Sequence, residues 1–171
     1  MGTRAAAYLA PPCSGVTAES RNPHRDLVNR NGGETVNTQT KPGLVLPVDT
    51  IRDRLNRDPE FLLTARFWYC DIRFFIGQDF YFMRIENGKV DHFQHGTQGF
   101  DPYTINIGGP EEVWNKMMER RPKPFYHDWF AASFHHDFTF GGDLESAYAH
   151  YYAIRRINAI MRQTVIESRA V

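Results

Sequence analysis

A run of alternating aromatic and aliphatic residues from Ala65 to Glu86, interrupted at Gly77-Gln78-Asp79 and ended by Asn87-Gly88, commits this chain to an antiparallel sheet. In the first strand, read over Ala65 to Ile76, Trp68, Cys70, Ile72, Phe74 and Ile76 fall on one side. Phe67, Tyr69, Asp71, Arg73 and Phe75 fall on the other. The first set carries no charge and forms the dry face. In the second strand, Phe80 to Glu86, Tyr81, Met83 and Ile85 alternate with Phe80, Phe82, Arg84 and Glu86. Asn87-Gly88 supplies the two positive φ angles of a type I′ turn, which matches the twist of the flanking strands.

Further strands are expected over Lys89 to about His95 and Tyr103 to Ile107, with a fifth over Phe134 to Phe140. Asp49 or Thr50 is placed to cap a short helix carrying Ile51 and Leu55, with Phe61 and Leu62 beyond Pro59. A helix starts at Pro110, with Glu111 and Glu112 at the positive end of its dipole and an apolar stripe of Val113, Trp114, Met117 and Met118. Asp143 caps a long last helix whose apolar positions, from Leu144 through Ala147, Tyr148, Tyr151, Ile154, Ile157, Ile160 and Met161 to Val165, recur at three- and four-residue intervals. The fold class expected is α+β: about five mainly antiparallel strands with helices packed on one side, the long helix last.

Before Val48 the periodicity stops. Residues 1–47 are rich in Asn, Thr, Gly, Pro and Arg and follow neither a helical nor a strand period, so they read as a disordered or loosely docked arm, and 48–171 as the folded domain. With 20 acidic and 20 basic residues in 171, no global field draws the chain to nucleic acid or an anionic surface. Cys13 and Cys70 make no disulfide framework. No apolar run reaches membrane-spanning length and no targeting motif is complete, so a soluble, cytoplasmic protein is expected.

Four features occur in order: the Asn87-Gly88 hairpin, the strand Tyr103-Thr104-Ile105-Asn106-Ile107, Gly109-Pro110-Glu111-Glu112-Val113-Trp114 leading into a helix, and Phe138-Thr139-Phe140-Gly141-Gly142-Asp143 before the last helix. From about Asp58 to Met161 this order resembles the sterol carrier protein type-two family of lipid-binding domains. The resemblance implies a hydrophobic tunnel that holds a sterol, fatty acyl chain or similar molecule between the sheet and the last helix. Trp68, Phe74, Met83, Ile105, Trp114, Met117, Phe138, Tyr148 and Tyr151 are the candidate lining residues. The segment Pro122 to Phe130 is bulkier and more polar than the family pattern, which points to a smaller, more functionalised ligand.

Two other readings stand beside this carrier. His127-Asp128 and His135-His136-Asp137 could supply an imidazole held by a carboxylate, the acid/base group of an enzyme of lipid, steroid or secondary metabolism. An uncovered sheet face bearing Phe67, Tyr69 and Phe75 could serve an adaptor or a homodimer. The residues favour a binding domain over a catalyst. No cofactor is called for: the histidines form no local metal clip, and phosphate-cradling and dinucleotide motifs are missing from the sequence.

Overall fold

A computed structural model describes residues 43–96 and 102–170. Residues 1–42 of the expected arm lie outside the described residues. The element order is α1 (Val48–Leu55), α2 (Pro59–Thr64), β1 (Cys70–Ile76), β2 (Asp79–Glu86), β3 (Lys89–His95), β4 (Ile105–Gly109), α3 (Glu111–Met117), α4 (Trp129–His135), β5 (Thr139–Gly142), α5 (Leu144–Ala149) and α6 (Tyr151–Ser168). The fold is α+β. One five-stranded sheet has the order β3-β2-β1-β4-β5, antiparallel throughout except where β1 and β4 run parallel.

The hairpin forms as the dipeptide demands: Asn87 and Gly88 have φ of 48° and 76°. Burial along β1 alternates strictly, with Cys70, Ile72, Phe74 and Ile76 inside, as the dry-face pattern requires. Tyr81, Met83 and Ile85 of β2 share that side, and every helix contributes to the single core they build. The opposite face is laced with polar contacts. Arg84 pairs with Asp71 at 2.8 Å, and Arg73 donates to Asn106 at 2.9 Å while its guanidinium lies 3.7 Å from the Tyr103 ring centroid. Phe67 and Tyr69 are exposed but precede β1, and within the sheet Phe75, Phe80 and Phe82 share the outer face with Asp71, Arg73 and Arg84.

Four expectations are corrected by the structure. Phe134 to Phe140 is not a strand: Asp128 caps α4 by accepting from the Phe130 and Ala131 N–H groups, and α4 carries the chain to His135 before β5 begins at Thr139. A strong N-cap followed by Trp129 and Ala132 on one buried side outweighs the β-favouring aromatics. The last helix is two helices. At His150, which has φ −109° and ψ 29°, the chain breaks, and the imidazole stacks on Trp68 at 4.7 Å. Residues 43–47, assigned to the arm, also pack on the domain. Leu44 and Leu46 are buried, their N–H groups donating to Glu111 and to the Tyr81 hydroxyl. Pro47, rather than Asp49 or Thr50, occupies the α1 N-cap position.

The helices are tied together at Asp58. Its carboxylate caps α2 through Phe61 N–H at 2.7 Å and takes a two-pronged contact from Arg156 of α6, Nε at 2.9 Å and Nη2 at 2.5 Å. The Arg156 hydrogen bond is the main reason the Asp58 carboxyl is held below its ordinary range. A carboxylate depressed in the folded state adds stability above its unfolded value of about 3.9, and that stability is lost as pH falls through the folded value. Asp58→Ala is therefore expected to cost about 2 kcal/mol at neutral pH. Urea denaturation should show the deficit shrinking in acid; a pH-independent deficit would assign the loss to packing.

Candidate functional site

Between the inner sheet face and α3 and α4 lies a layer of large apolar side chains. Phe74 of β1 meets Trp114 of α3 at 6.5 Å and Trp129 of α4 at 5.5 Å between ring centroids. Trp114 in turn meets Trp129 at 5.8 Å and Phe138 at 5.5 Å. Their mutual tilts are the edge-to-face arrangements that aromatic quadrupoles favour. Met83, Ile105 and Met117 are completely buried in the same core. Seven of the candidate lining residues, Trp68, Phe74, Met83, Ile105, Trp114, Met117 and Phe138, are thus brought into one core.

The polar ends of the two indoles differ. Trp114 Nε1 donates to the Phe75 carbonyl at 2.9 Å. Trp129 Nε1 is buried and has no hydrogen-bond partner among the described residues. A buried donor without an acceptor costs free energy, on the order of 1–3 kcal/mol. Trp68, in the same core, donates to Ser146 Oγ at 3.0 Å and stacks on His150.

Tyr148 and Tyr151 do not join the layer. Tyr148 is 57% exposed, and Tyr151 is half-buried with its ring 5.4 Å from that of Phe130. The reason is the break at His150, which ends the continuous stripe on which both were counted. Tyr151 instead donates its hydroxyl to Asp128 at 2.7 Å.

Asp128 is buried. Beyond the two α4 amides and Tyr151, it receives Arg155 Nε at 3.5 Å. Burial, with the hydrogen bond to Asp128 next, pushes the Tyr151 phenol up to about 12. His127 contributes its carbonyl, which accepts from Asn158 Nδ2 at 3.1 Å and Arg162 Nη2 at 3.0 Å. Arg162 also reaches the Met117 carbonyl at 2.7 Å, so α6 clamps both the end of α3 and the start of α4.

The remaining histidines of the expected acid/base group stack. His135 lies 3.8 Å from Phe125 and His136 lies 3.8 Å from Tyr126, while Asp137 is exposed. None of His127, His135 or His136 hydrogen-bonds to Asp128 or Asp137 among the described residues. Nor do those residues contain a group of three or more His, Cys, Asp or Glu able to hold a metal ion. Cys70 is buried, and desolvation pushes its thiol up to about 11, so it is a poor nucleophile at neutral pH.

Sequence reasoning missed Trp129, Asn158 and Arg162. Trp129 was visible inside the bulky Pro122 to Phe130 segment, but its place in the core depends on α4 being a helix. Asn158 and Arg162 sit one turn apart on α6, and their role appears only when the His127 carbonyl is placed beside them.

No helix of the described residues is long and apolar enough to cross a membrane. No protein-family model matches the sequence, and no curated protein matches it significantly. Solved structures do. The crystal structure of sterol carrier protein 2 superposes with a TM-score of 0.56 at 12% identity, covering 68% of this chain and 93% of that one. A solution structure of a conserved hypothetical protein from Thermus thermophilus, considered a candidate sterol carrier protein, gives a TM-score of 0.54 at 12% identity. It covers 67% of this chain and 83% of that one. The sheet order, the helix-covered inner face and these superpositions agree, and the chain has the sterol carrier protein 2 fold.

Proposed function

We propose that this protein binds an apolar small molecule, of the sterol, fatty acyl or similar class, between the inner sheet face and helices α3, α4 and α6. The observation that carries the reading is the buried indole of Trp129: an N–H without an acceptor among the described residues, set between Phe74 and Trp114. A ligand with an apolar body and one oxygen at its end would fit among these rings and satisfy that donor. Methionine bends to irregular shapes more readily than other core residues, and Met83, Met117, Met118 and Met161 belong to the same core, so their side chains are the ones that would yield. The shared fold with a protein named as a sterol carrier supports the same class of ligand.

Native mass spectrometry of the purified protein is expected to show a copurified apolar species, and sterols, fatty acids or polyketides are expected to raise the unfolding temperature. Trp129→Phe keeps an aromatic ring, though a smaller one, and removes the N–H, and should weaken binding of a responding ligand by about five- to tenfold. Absence of both a copurified species and any thermal shift across the panel would remove the carrier reading. Unchanged affinity in Trp129→Phe would leave a carrier that does not use the indole.

A further inference from the structure

The two edges of the sheet are treated differently. On β3, the side chain of Asn56 mimics a neighbouring peptide: its Nδ2 donates to the Val90 carbonyl at 2.8 Å and its Oδ1 accepts the Val90 N–H at 2.8 Å. That strand also carries Lys89 and Asp91, and the β2–β3 register shifts between Arg84 and Ile85. A covering side chain, charges and an irregular ladder are the means by which sheets prevent further strands from adding.

Among the described residues none of these three is present on β5, where the ladder is limited instead by its four-residue length and by the φ of 96° at Gly142. Its sequence, Thr139-Phe140-Gly141-Gly142, has no charge and no proline, its register with β4 is unbroken, and among the described residues it pairs with β4 alone. A Cβ added at Gly141 would meet nothing within 4 Å. Beside this edge is a continuous aromatic patch. Phe130 of α4 touches Phe140 at 4.2 Å, Tyr148 at 4.6 Å and Tyr151 at 5.4 Å between centroids. Phe134, one turn along α4, is 77% exposed, and Leu144 and Tyr152 are exposed as well.

We infer that β5 and this patch form the interface of a homodimer in which β5 pairs antiparallel with its own copy. Four observations favour a second copy over other occupants. An antiparallel strand pair is self-complementary about a two-fold axis, and so is an apolar patch. Equal numbers of acidic and basic residues leave no net charge to oppose self-association. Phe134, Leu144, Tyr148 and Tyr152 together expose about 500 Å², at the ~200 Å² typical of a large side chain. Added to the strand edge, that approaches the roughly 800 Å² per partner of a stable dimer. Finally, Asp137 and Asp143 flank β5 and are exposed, which sets the surface against an anionic lipid bilayer. In the dimer the same carboxylates repel at the strand ends, so self-association strengthens as salt screens them.

Sedimentation velocity of the full chain is expected to show a monomer–dimer equilibrium that shifts toward dimer with added salt. Phe134→Lys and Gly141→Lys lie at an exposed and an open position, so each should leave the unfolding temperature of the monomer unchanged. Each should also weaken the dimer by about tenfold or more. Hydrogen exchange should slow at β5 amides as concentration rises. A monomer at every concentration overturns the inference, and so does a dimer indifferent to both substitutions. Binding of the monomer to vesicles containing anionic lipid that is lost in Phe134→Lys overturns it equally, in favour of a lipid surface.

Discussion

Asp128→Ala is expected to destabilise the domain by about 3 kcal/mol or more, a large share of the stability of many domains of this size. The carboxylate is buried and accepts from donors of two separate elements: the Phe130 and Ala131 amides at the start of α4, and Tyr151 and Arg155 of α6. Loss of the cap alone costs about 1 kcal/mol. Loss of the charge-assisted bond from Tyr151 adds roughly 1.5–3 kcal/mol, since the hydroxyl donates to Asp128 and to no other acceptor among the described residues. Equilibrium urea denaturation measures the sum. Asp128→Asn keeps a capping oxygen and should lose less; equal losses in the two variants would show that charge, rather than the cap, dominates. A second reading comes from alkaline titration. A phenol raised to about 12 in the folded protein adds stability that is intact below about 10 and is lost as pH climbs through the folded value. In Asp128→Ala the Tyr151 absorbance step should move down, but only in part, because burial is the larger cause of the shift.

Trp114→Ala should cost about 4 kcal/mol, the upper part of the range for truncating a buried aromatic. Trp114 is fully buried and touches Phe74, Trp129 and Phe138, so the cavity opens at the centre of the layer rather than at its rim. Its indole N–H also satisfies the Phe75 carbonyl at 2.9 Å, and truncation leaves that acceptor unpaired. Trp114→Phe separates the two contributions: it retains most of the ring and loses the hydrogen bond, with an expected cost of about 1–2 kcal/mol. Denaturation midpoints of the two variants give the comparison. If Trp114→Ala is mild, the layer is loosely packed and collapses readily around the missing ring.

Much of the sheet was legible along the chain because its determinants are local. Alternation with period two sorts Ile72, Phe74 and Ile76 from Asp71, Arg73 and Phe75 without knowledge of any partner strand. Asn87-Gly88 specifies positive φ angles through its own covalent structure. Helix α4 was misread because Phe134, His136 and Phe138 alternate as a strand would, while the decisive signal was a single capping residue, Asp128, well before the expected strand began.

The candidate site was legible only in its composition. The apolar character of Phe74, Trp114 and Phe138 follows from their identities, and their convergence on one core follows from the fold. Tyr148 and Tyr151 share the helical spacing of the core residues but leave the layer because the helix breaks at His150, where a stack on Trp68 is available. That stack joins residues far apart in sequence, and no local pattern encodes it.

The sequence by itself determined the α+β class, the hairpin, the dry side of the sheet and the aromatic stock of the core, since periodicity and backbone preference act over a few residues. Only the tertiary structure decided the parallel pairing of β1 with β4, the burial of Asp128 among donors from α4 and α6, the buried indole of Trp129, without a partner among the described residues, and the place of β5 at the sheet edge. Each of these depends on which distant groups meet, and hydrogen-bond satisfaction is settled by that meeting.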